Sequence, residues 1–458
     1  MHKRLLLVYA MIALLLVLLP ACGGQDAGDE TPSEPSVRII TSTPSATRTP
    51  TVTPTPRVPV LDPAALGDVS IELWYFWDPT ELDALAQAVE WFNAENELGI
   101  QVSTQAFIHP VELAEAVAQA ISDGSQPDVV LAEPYQYLPW FDAGEVVEIS
   151  PYLESPAYGL DLEGFYPAII NRDVFSGSRL AFPGLFSAHV LMYNLNWAEE
   201  LGFDSAPIDP EEFTEQACTA RLANQDRTGG WMIDQTPAGA AAWLLAFDPN
   251  LQRRIDFKSE GVEAAYTFLA QLSSQGCAWQ PTDSYPDQAF AERLGLFYTV
   301  STRELEYVAD AFEDADSQDE WRAIGYPNPE GEPVVSLSGR SYVLLEGEIE
   351  SQVAGWLLVR YLVGEKIQAH LAETNLYLPL DRNTAARLEE DPALVEEWRQ
   401  ALDLLDQAVV EPPVRAWGVL RSVVQDAQAE VLDERFMLGT LSLFLDQLDK
   451  LADEFQNQ

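Results

Sequence analysis

Strand-like and helix-like patterns alternate between residues 70 and 142 of this chain. Three short runs, SIELWYF, GIQVSTQAF and PDVVLAE, are rich in residues that favour strands. Between them lie amphipathic stretches whose apolar residues recur at helical spacing, such as Leu82, Leu85, Val89 and Phe92. This alternation predicts an α/β fold with a parallel sheet and helices on both faces. In such a sheet, ligands bind beyond the carboxyl ends of the strands.

The turn after the first predicted strand is sharply defined. The tetrapeptide DPTE is typical of a helix start, with Asp78 as the N-cap and Pro79 at the first helical position. Trp77 and Asp78 therefore lie at the carboxyl end of a strand, and Glu133 and Tyr135 follow the third strand. These four side chains are the first candidates for contact with a ligand.

The rest of the chain keeps this mixed character. LAFPGLF and VLMYNLN predict two strands around a turn, WAEELGF predicts a short helix, and residues 383–458 are mostly helical by periodicity. A chain of 458 residues suits two compact lobes better than one core.

The N-terminus has the order of an export signal. HKR is followed by fifteen apolar residues, 5–19, and then by PACGG. Fifteen residues are fewer than the roughly 20 needed to span a bilayer, although a short membrane anchor helix is the alternative. LPAC resembles a bacterial lipobox, with Cys22 as the acylated residue. We therefore expect residues 1–21 to be a lipoprotein signal peptide and the protein to be lipid-anchored on the extracytoplasmic face of the cell envelope.

Residues 22–65 are rich in Pro, Thr and Ser and are expected to form an extended linker. Beyond it, Cys218 and Cys277 are an even pair in an exported chain, which predicts a disulfide. Two separate buried thiols are the alternative.

The composition excludes several function classes. Lysine and arginine number 25 against 73 aspartates and glutamates, and such a surface repels nucleic acid. GxGxxG, GxxxxGK[ST] and GxSxG are all missing from the sequence. His109, His189 and His370 lie far apart, without the spacing of metal ligands. We therefore expect no cofactor, no metal and no enzymatic activity.

Twelve tryptophans are the most distinctive resource for binding. An aromatic face suits the C–H face of a sugar ring, and neighbouring charged groups suit its hydroxyls. Each ring can instead pack in a core. Those at predicted element ends are Trp77, Trp231, Trp279 and Trp417. Those expected to pack are Trp91, Trp197, Trp321, Trp356 and Trp398.

The order of segments resembles the bacterial extracellular solute-binding proteins of the sugar-binding, maltose-binding-like family, which serve ABC importers. The resemblance lies in IELWYFW, QPDVVLAEPYQYLPWFDAGEVVEISPYL and SRLAFPGLFSAHVLMYNLNWAEELGF, followed by RLGLFYTVS, IGYPNPEG, SLSGRSYVLLEG and TNLYLPL. It implies a two-lobed periplasmic-binding-protein type II-like fold, with hinge-linked lobes and a central cleft. Lobe 1 would comprise residues 66–187 and 323–382, and lobe 2 residues 188–322 and 383–458.

The resemblance also implies a set of ligand contacts. These are Trp77, Asp78, Glu133, Tyr135, Ser187, Gln235, Trp243, Tyr298, Ser301, Arg340 and Trp417. The implied function is capture of a sugar or oligosaccharide for an ABC transporter permease by a monomer. A polyamine fits the acidic composition equally well through cation–π contacts. An extracytoplasmic carbohydrate-active enzyme and a sensor for a signalling partner are the alternative functions.

Overall fold

The computed structural model describes residues 58–79, 82–224, 228–234, 236–281 and 286–456. Cys22, the predicted signal peptide, most of the predicted linker and Gln235 lie outside these ranges. Residues 58–65, predicted as linker, belong to the folded body, because Val58 and Leu61 pack against its core and the Leu61 N–H donates to the Tyr158 hydroxyl at 2.8 Å.

The strands of the described residues are β1 (Ser70–Phe76), β2 (Gln101–Phe107), β3 (Val129–Ala132), β4 (Val174–Phe175), β5 (Ser178–Arg179), β6 (Phe182–Asn194), β7 (Gly229–Met232), β8 (Ala278–Trp279), β9 (Gly295–Ser301), β10 (Trp321–Ile324), β11 (Val335–Leu344) and β12 (Ala408–Val410). The first three coincide with the predicted strands.

The α-helices are α1 (Pro63–Leu66), α2 (Ala84–Glu95), α3 (Pro110–Asp123), α4 (Pro134–Asp142), α5 (Ser150–Leu153), α6 (Pro167–Asn171), α7 (Leu195–Leu201), α8 (Pro210–Asn224), α9 (Pro237–Phe247), α10 (Glu260–Ser274), α11 (Pro286–Ala291), α12 (Leu305–Asp314), α13 (Ile349–Leu362), α14 (Glu365–Asn375), α15 (Arg382–Glu389), α16 (Glu396–Ala401), α17 (Trp417–Val431) and α18 (Leu441–Gln456). Short 3₁₀ helices span Pro249–Gln252, Thr302–Glu304, Leu402–Gln407 and Leu438–Thr440. No helix within the described ranges is both long enough and apolar enough to cross a membrane.

The main sheet is mixed, and the parallel arrangement predicted from residues 70–142 is confirmed for β1, β2 and β3. Its strand order is β2-β1-β3-β11-β6-β9-β7-β8, with β10 beside β6 and β12 beside β11. β1 is parallel to β2 and β3, whereas β11 is antiparallel to β3 and to β6. The alternating strand and helix patterns cover only the part of the sheet that is parallel, which is why they could not reveal the rest.

Strand β6 joins the two halves of the sheet. Its first part pairs with β11, and the part from His189 to Tyr193 pairs with β9. The sequence predicts two strands around a turn here, which was wrong. The chain instead continues without a turn, because each part of β6 has a partner strand in a different half of the sheet.

The strand directions bring two sets of strand ends together. β3 and β6 run the same way, because both are antiparallel to β11. β9 is antiparallel to β6, and β7 is parallel to β9. The carboxyl ends of β1 and β3 therefore face those of β7 and β9 across the middle of β6, near residues 187–189.

Helix α2 begins later than predicted, and Asp78 is not its N-cap. The cap is Asp83, whose Oδ1 accepts a hydrogen bond from the Ala86 N–H at 2.9 Å. Its Oδ2 also accepts from the Tyr75 hydroxyl at 2.7 Å. Asp83 therefore has a second, tertiary partner, which the local DPTE pattern could not reveal.

Two large cores support the sheet. The first contains Trp356 and Trp398 and continues from one half of the sheet into the other, so the lobe boundaries remain a prediction. The second surrounds Trp231 and Trp243. Of the tryptophans expected to pack, Trp91 is only half-buried and the others are buried. A disulfide joins Cys218 to Cys277, which confirms that prediction.

Candidate functional site

The facing strand ends converge on the middle of β6. Trp77 follows β1, Glu133 follows β3, and Ser301 ends β9. The Thr302 hydroxyl accepts a hydrogen bond from the Ala188 N–H at 3.1 Å, which ties the end of β9 to β6. A crevice beyond facing carboxyl ends, where the direction of the sheet changes, is where α/β proteins bind ligands.

Trp77 and Arg340 form one wall of this site. The Arg340 guanidinium carbon lies 6.0 Å from the Trp77 ring centroid, and its nitrogens donate to the Phe76 carbonyl and to the Tyr377 hydroxyl, the latter at 2.7 Å. The Tyr377 ring lies 6.0 Å from the Trp77 ring. Trp77 is only 4% exposed, and its Nε1 has no hydrogen-bond partner among the described residues. Trp77 therefore belongs to the first core, and it places a buried N–H donor beside the Arg340 guanidinium.

Arg340 is held in place by an irregularity in β11. The pairing register with β6 shifts between Arg340 and Ser341. Arg172 donates to the Gly339 carbonyl and to the Ser341 hydroxyl, both at 2.6 Å. A Cβ on Gly339 would lie 2.3 Å from the Leu185 carbonyl oxygen, so only glycine fits this close approach. The buried Arg172 therefore fixes the backbone that directs Arg340.

Glu133 and Tyr135 of the first half meet helix α17. Arg421 Nη2 donates to Glu133 Oε2 at 2.5 Å, and its guanidinium carbon lies 4.9 Å from the Tyr135 ring centroid. A Cβ on Gly418 would lie 2.6 Å from that ring, so α17 approaches Tyr135 closely. Burial and the Glu133 carboxylate raise the pKa of Tyr135 to about 12, so its hydroxyl stays protonated.

Trp417 begins α17 and is fixed by a buried carboxylate. Its Nε1 donates to Glu411 Oε2 at 2.6 Å. Arg421 lies one turn later, with Nη1 4.0 Å from the same oxygen. Burial raises the pKa of Glu411, and the Arg421 charge opposes that rise. Trp417, Glu411 and Arg421 therefore form a third group of aromatic and charged side chains at the site.

The second half contributes Tyr298, Ser301 and His189. Burial raises the pKa of Tyr298, and the Asp287 carboxylate raises it further. The Ser301 side chain caps the 3₁₀ helix that follows β9. His189 is paired with Ser301 across the strands, and its buried Nδ1 has no partner in the described part of the chain. Burial lowers the pKa of His189, which favours the neutral imidazole.

The structure brings most of the predicted contacts to this region. Trp77, Asp78, Glu133 and Tyr135 follow β1 and β3, and Ser301 ends β9. Ser187 and Arg340 lie where β6 pairs with β11, Tyr298 lies within β9, and Trp417 begins α17. Asp78 is exposed, and Ser187 is half-buried opposite Ser338. Their contact with a ligand remains a prediction.

Trp243 lies elsewhere. It is 0% exposed inside the second core, with the Trp231 ring at 5.1 Å and the Tyr326 ring at 4.9 Å. A ring enclosed by other aromatic rings has no face left for a solute, so we leave Trp243 out of the proposed site. Trp231 is also fully buried and donates to the Thr299 hydroxyl at 3.0 Å.

Sequence reasoning missed four residues at the site: Arg303, Tyr377, Glu411 and Arg421. Arg421 could have been found, because it lies four residues after Trp417 on the same helix face. Tyr377 lies within the segment TNLYLPL, and the Arg303 guanidinium carbon is 4.3 Å from its ring centroid. Glu411 could not have been found in this way, because the only local feature is a single acid between VV and PP, which does not indicate a binding residue.

A cavity of about 880 Å³ lies apart from the facing strand ends, between β10 and α16. Carboxylates such as Asp319, Glu396 and Glu397 line it. We place the site at the strand ends instead, because the aromatic rings and the unpartnered buried polar atoms of Trp77 and His189 are there. The described residues include no group of three or more His, Cys, Asp or Glu side chains able to hold a metal ion.

A two-part sheet with aromatic and charged side chains between facing strand ends is the architecture of a two-lobed ligand-binding protein. The family model for "Bacterial extracellular solute-binding protein" matches residues 87–398, well over half of the chain. The chain therefore belongs to the bacterial extracellular solute-binding protein family. The protein is therefore extracytoplasmic. The family consists of binding proteins rather than enzymes.

Solved structures share the fold at low sequence identity. The sugar-binding protein MalE from Xanthomonas citri has a TM-score of 0.72 and 19% identity, covering 84% of this chain and 98% of its own. The cyclic alpha-maltosyl-1,6-maltose binding protein from Arthrobacter globiformis has a TM-score of 0.68 and 16% identity, covering 86% and 100%. UgpB from Mycobacterium tuberculosis, in complex with glycerophosphocholine, has a TM-score of 0.64 and 17% identity, covering 85% and 99%. No curated protein matched in a sequence search.

Proposed function

We propose that this protein is a lipid-anchored extracytoplasmic receptor that captures a sugar or an oligosaccharide and delivers it to the permease of an ABC importer. Membership of the solute-binding family and the fold shared with maltose-type binding proteins support this function. The observation that carries the choice of solute is the half-buried Tyr135 ring beside the charged Glu133 and Arg421 at the facing strand ends, with the buried indoles of Trp77 and Trp417 behind them.

This surface chemistry suits a neutral polyhydroxyl compound. Aromatic rings provide platforms for C–H faces, and carboxylates and guanidinium groups hydrogen-bond hydroxyls. A polyamine suits it less, because Arg340 and Arg421 add positive charge at the same edge. Glu133 is moreover already neutralised by Arg421. Around Glu133 and Arg340, the local charges therefore favour a sugar over a cation.

The mechanism is binding without covalent chemistry. The solute enters between the two halves, and rotation about β6 and neighbouring segments closes them around it. Closure follows because the closed form binds the solute more tightly than the open form. A permease then distinguishes the closed shape from the open one. Acylation of Cys22 and an extended linker keep the receptor near the membrane.

The test uses the purified mature protein and four probes: maltose, maltotriose, glycerophosphocholine and spermidine. A probe at 100 times its Kd stabilises a binding protein by about 2.7 kcal/mol, which raises the melting temperature. We expect maltose or maltotriose to give this shift and to make the protein more compact in small-angle scattering. Stabilisation by spermidine and by neither sugar would refute the proposed solute class.

A matched pair of variants locates the binding site. Trp77→Ala removes the buried indole beside Arg340 at the site, whereas Trp91→Ala removes a half-buried tryptophan on α2, whose ring faces His370 at 4.6 Å. We expect only Trp77→Ala to abolish the sugar-induced shift. An equal loss in both variants would mean that the effect is on folding rather than on binding.

A further inference from the structure

Glu411 lies where the two halves of the sheet meet. Strand β12 runs parallel to β11 and ends at Val410. The Glu411 N–H then donates to the Leu337 carbonyl at 3.1 Å. The next residue of β11, Ser338, is opposite Ser187 in the middle of β6. The backbone of Glu411 is therefore fixed beside the crossing point.

The two carboxylate oxygens of Glu411 are not equivalent. Oε2 accepts from Trp417 Nε1 at 2.6 Å. Oε1 is buried and has no hydrogen-bond partner within the described ranges, and the whole residue is only 7% exposed. The separation of 4.0 Å between Oε2 and Arg421 Nη1 is too long for a hydrogen bond. A buried acceptor without a partner destabilises a fold, so its presence at a binding site points to a donor on the ligand.

We propose that Glu411 contacts the solute directly, with Oε1 accepting a hydrogen bond from a solute hydroxyl while Arg421 donates to the neighbouring hydroxyl oxygen. A carboxylate only accepts and a guanidinium only donates, whereas a hydroxyl does both. The pair therefore complements two adjacent hydroxyl groups. This inference rests on the proposed function as a sugar receptor, and it makes Glu411 the residue that selects a vicinal diol.

A purely structural role, in which Glu411 only fixes Trp417, predicts a different outcome for Glu411→Gln. The amide keeps an oxygen for Trp417 Nε1 and replaces the buried acceptor with an N–H donor. If Oε1 serves the solute, the solute-free variant melts at an equal or higher temperature, by roughly 1–2 °C. If the carboxylate is structural, the variant melts at a lower temperature than the wild type. The matched control is Glu397→Gln on α16, where burial also raises the pKa of the carboxyl but the site is distant.

Binding is measured by calorimetry with maltotriose, maltose, glycerophosphocholine and spermidine as probes. A hydrogen bond to a charged group corresponds to a loss of affinity of about tenfold or more. We expect at least that loss for the sugar with Glu411→Gln, and a change below about twofold with Glu397→Gln. Equal sugar affinity in the wild type and Glu411→Gln would overturn the inference.

The same experiments separate this inference from the sugar assignment. If only glycerophosphocholine binds the wild type and Glu411→Gln weakens it, the sugar class fails while the diol contact stands, because the glycerol of this probe carries two adjacent hydroxyls. If only spermidine binds and Glu411→Gln weakens it, the sugar class and the diol both fail, and Glu411 contacts an amine instead. If no probe binds, the melting temperature of solute-free Glu411→Gln decides. A rise supports a carboxylate reserved for a ligand, and a fall overturns it.

Discussion

Replacing Arg421 with methionine tests whether α4 and α17 are held together electrostatically across the site. The substitution removes the guanidinium that contacts Glu133 at 2.5 Å and the Tyr135 ring at 4.9 Å. It keeps most of the apolar stem. Glu133 then loses its partner, and Glu411 loses the nearby positive charge. Both effects should destabilise the solute-free protein.

The size of the effect follows from distance and exposure. Two opposite charges about 4 Å apart attract by about 4 kcal/mol at an effective dielectric constant near 20. Desolvation and ordering of the side chains offset much of this attraction. Glu133 and Arg421 are each about one-fifth exposed, so screening by water is incomplete. We therefore expect a coupling energy of about 1–2 kcal/mol between the two residues.

The assay is a double-mutant cycle. The free energy of unfolding in urea is measured for the wild type, Arg421→Met, Glu133→Gln and the double variant, with no sugar present. The matched control is the cycle of Arg387→Met and Glu373→Gln, whose 3.3 Å pair is exposed and should show no measurable coupling. A coupling below about 0.3 kcal/mol for Arg421 with Glu133 would mean that the two helices do not hold each other in solution.

Three further predictions test the fold and the site. Replacing Cys218 and Cys277 with serine opens the disulfide-closed loop and should lower the free energy of unfolding by about 4 kcal/mol in the chain-entropy model, measured in urea; an unchanged value would show that the bridge adds no stability. Burial raises the pKa of Glu411, so the folded protein holds the Glu411 proton more tightly than the unfolded chain does. The stability that this proton contributes is fully present below the pKa of the unfolded chain and is lost as pH rises through the pKa of the folded protein. The melting-temperature difference between Glu411→Gln and wild type should therefore grow from pH 4 to pH 7, and a constant difference would contradict the raised pKa. Cys22→Ser should release the protein from membrane fractions, and unchanged membrane association would contradict the lipid anchor.

Local patterns predicted the elements whose determinants are local. β1, β2 and β3 lie where the apolar runs predict them, because strand propensity and flanking turns act over a few residues. The disulfide was also predictable, because an exported chain with two remaining cysteines has one possible pairing. β6 was missed because its continuity depends on β11 and β9, which lie more than 100 residues further along the chain.

The residues of the candidate site also divide into those with local determinants and those that depend on distant parts of the chain. Trp77 and Tyr135 follow strands and could be found from the strand ends alone. Glu411 could not, because its burial depends on pairing with Leu337 and on the indole of Trp417. The Trp243 prediction rested on resemblance, and the aromatic packing around that ring decides its place in the core. Resemblance to a family indicates which segment of the chain lies near the ligand. Burial and packing partners then decide which side chain of that segment can contact the ligand.

Net charge is a poor guide to the solute of this protein. The formal charge of the whole chain is −48. Exposed charges act over a Debye length of about 8 Å at physiological ionic strength, so distant surface carboxylates contribute little inside a crevice. There the field is set by nearby groups. Arg340 and Arg421 stand beside Glu133 and Glu411 in the first half, and the carboxylates of Asp234, Asp287 and Glu304 act on His189 and Tyr298 in the second. The acids spread over the surface therefore keep the molecule soluble, whereas the few charged and aromatic groups at the facing strand ends select the solute.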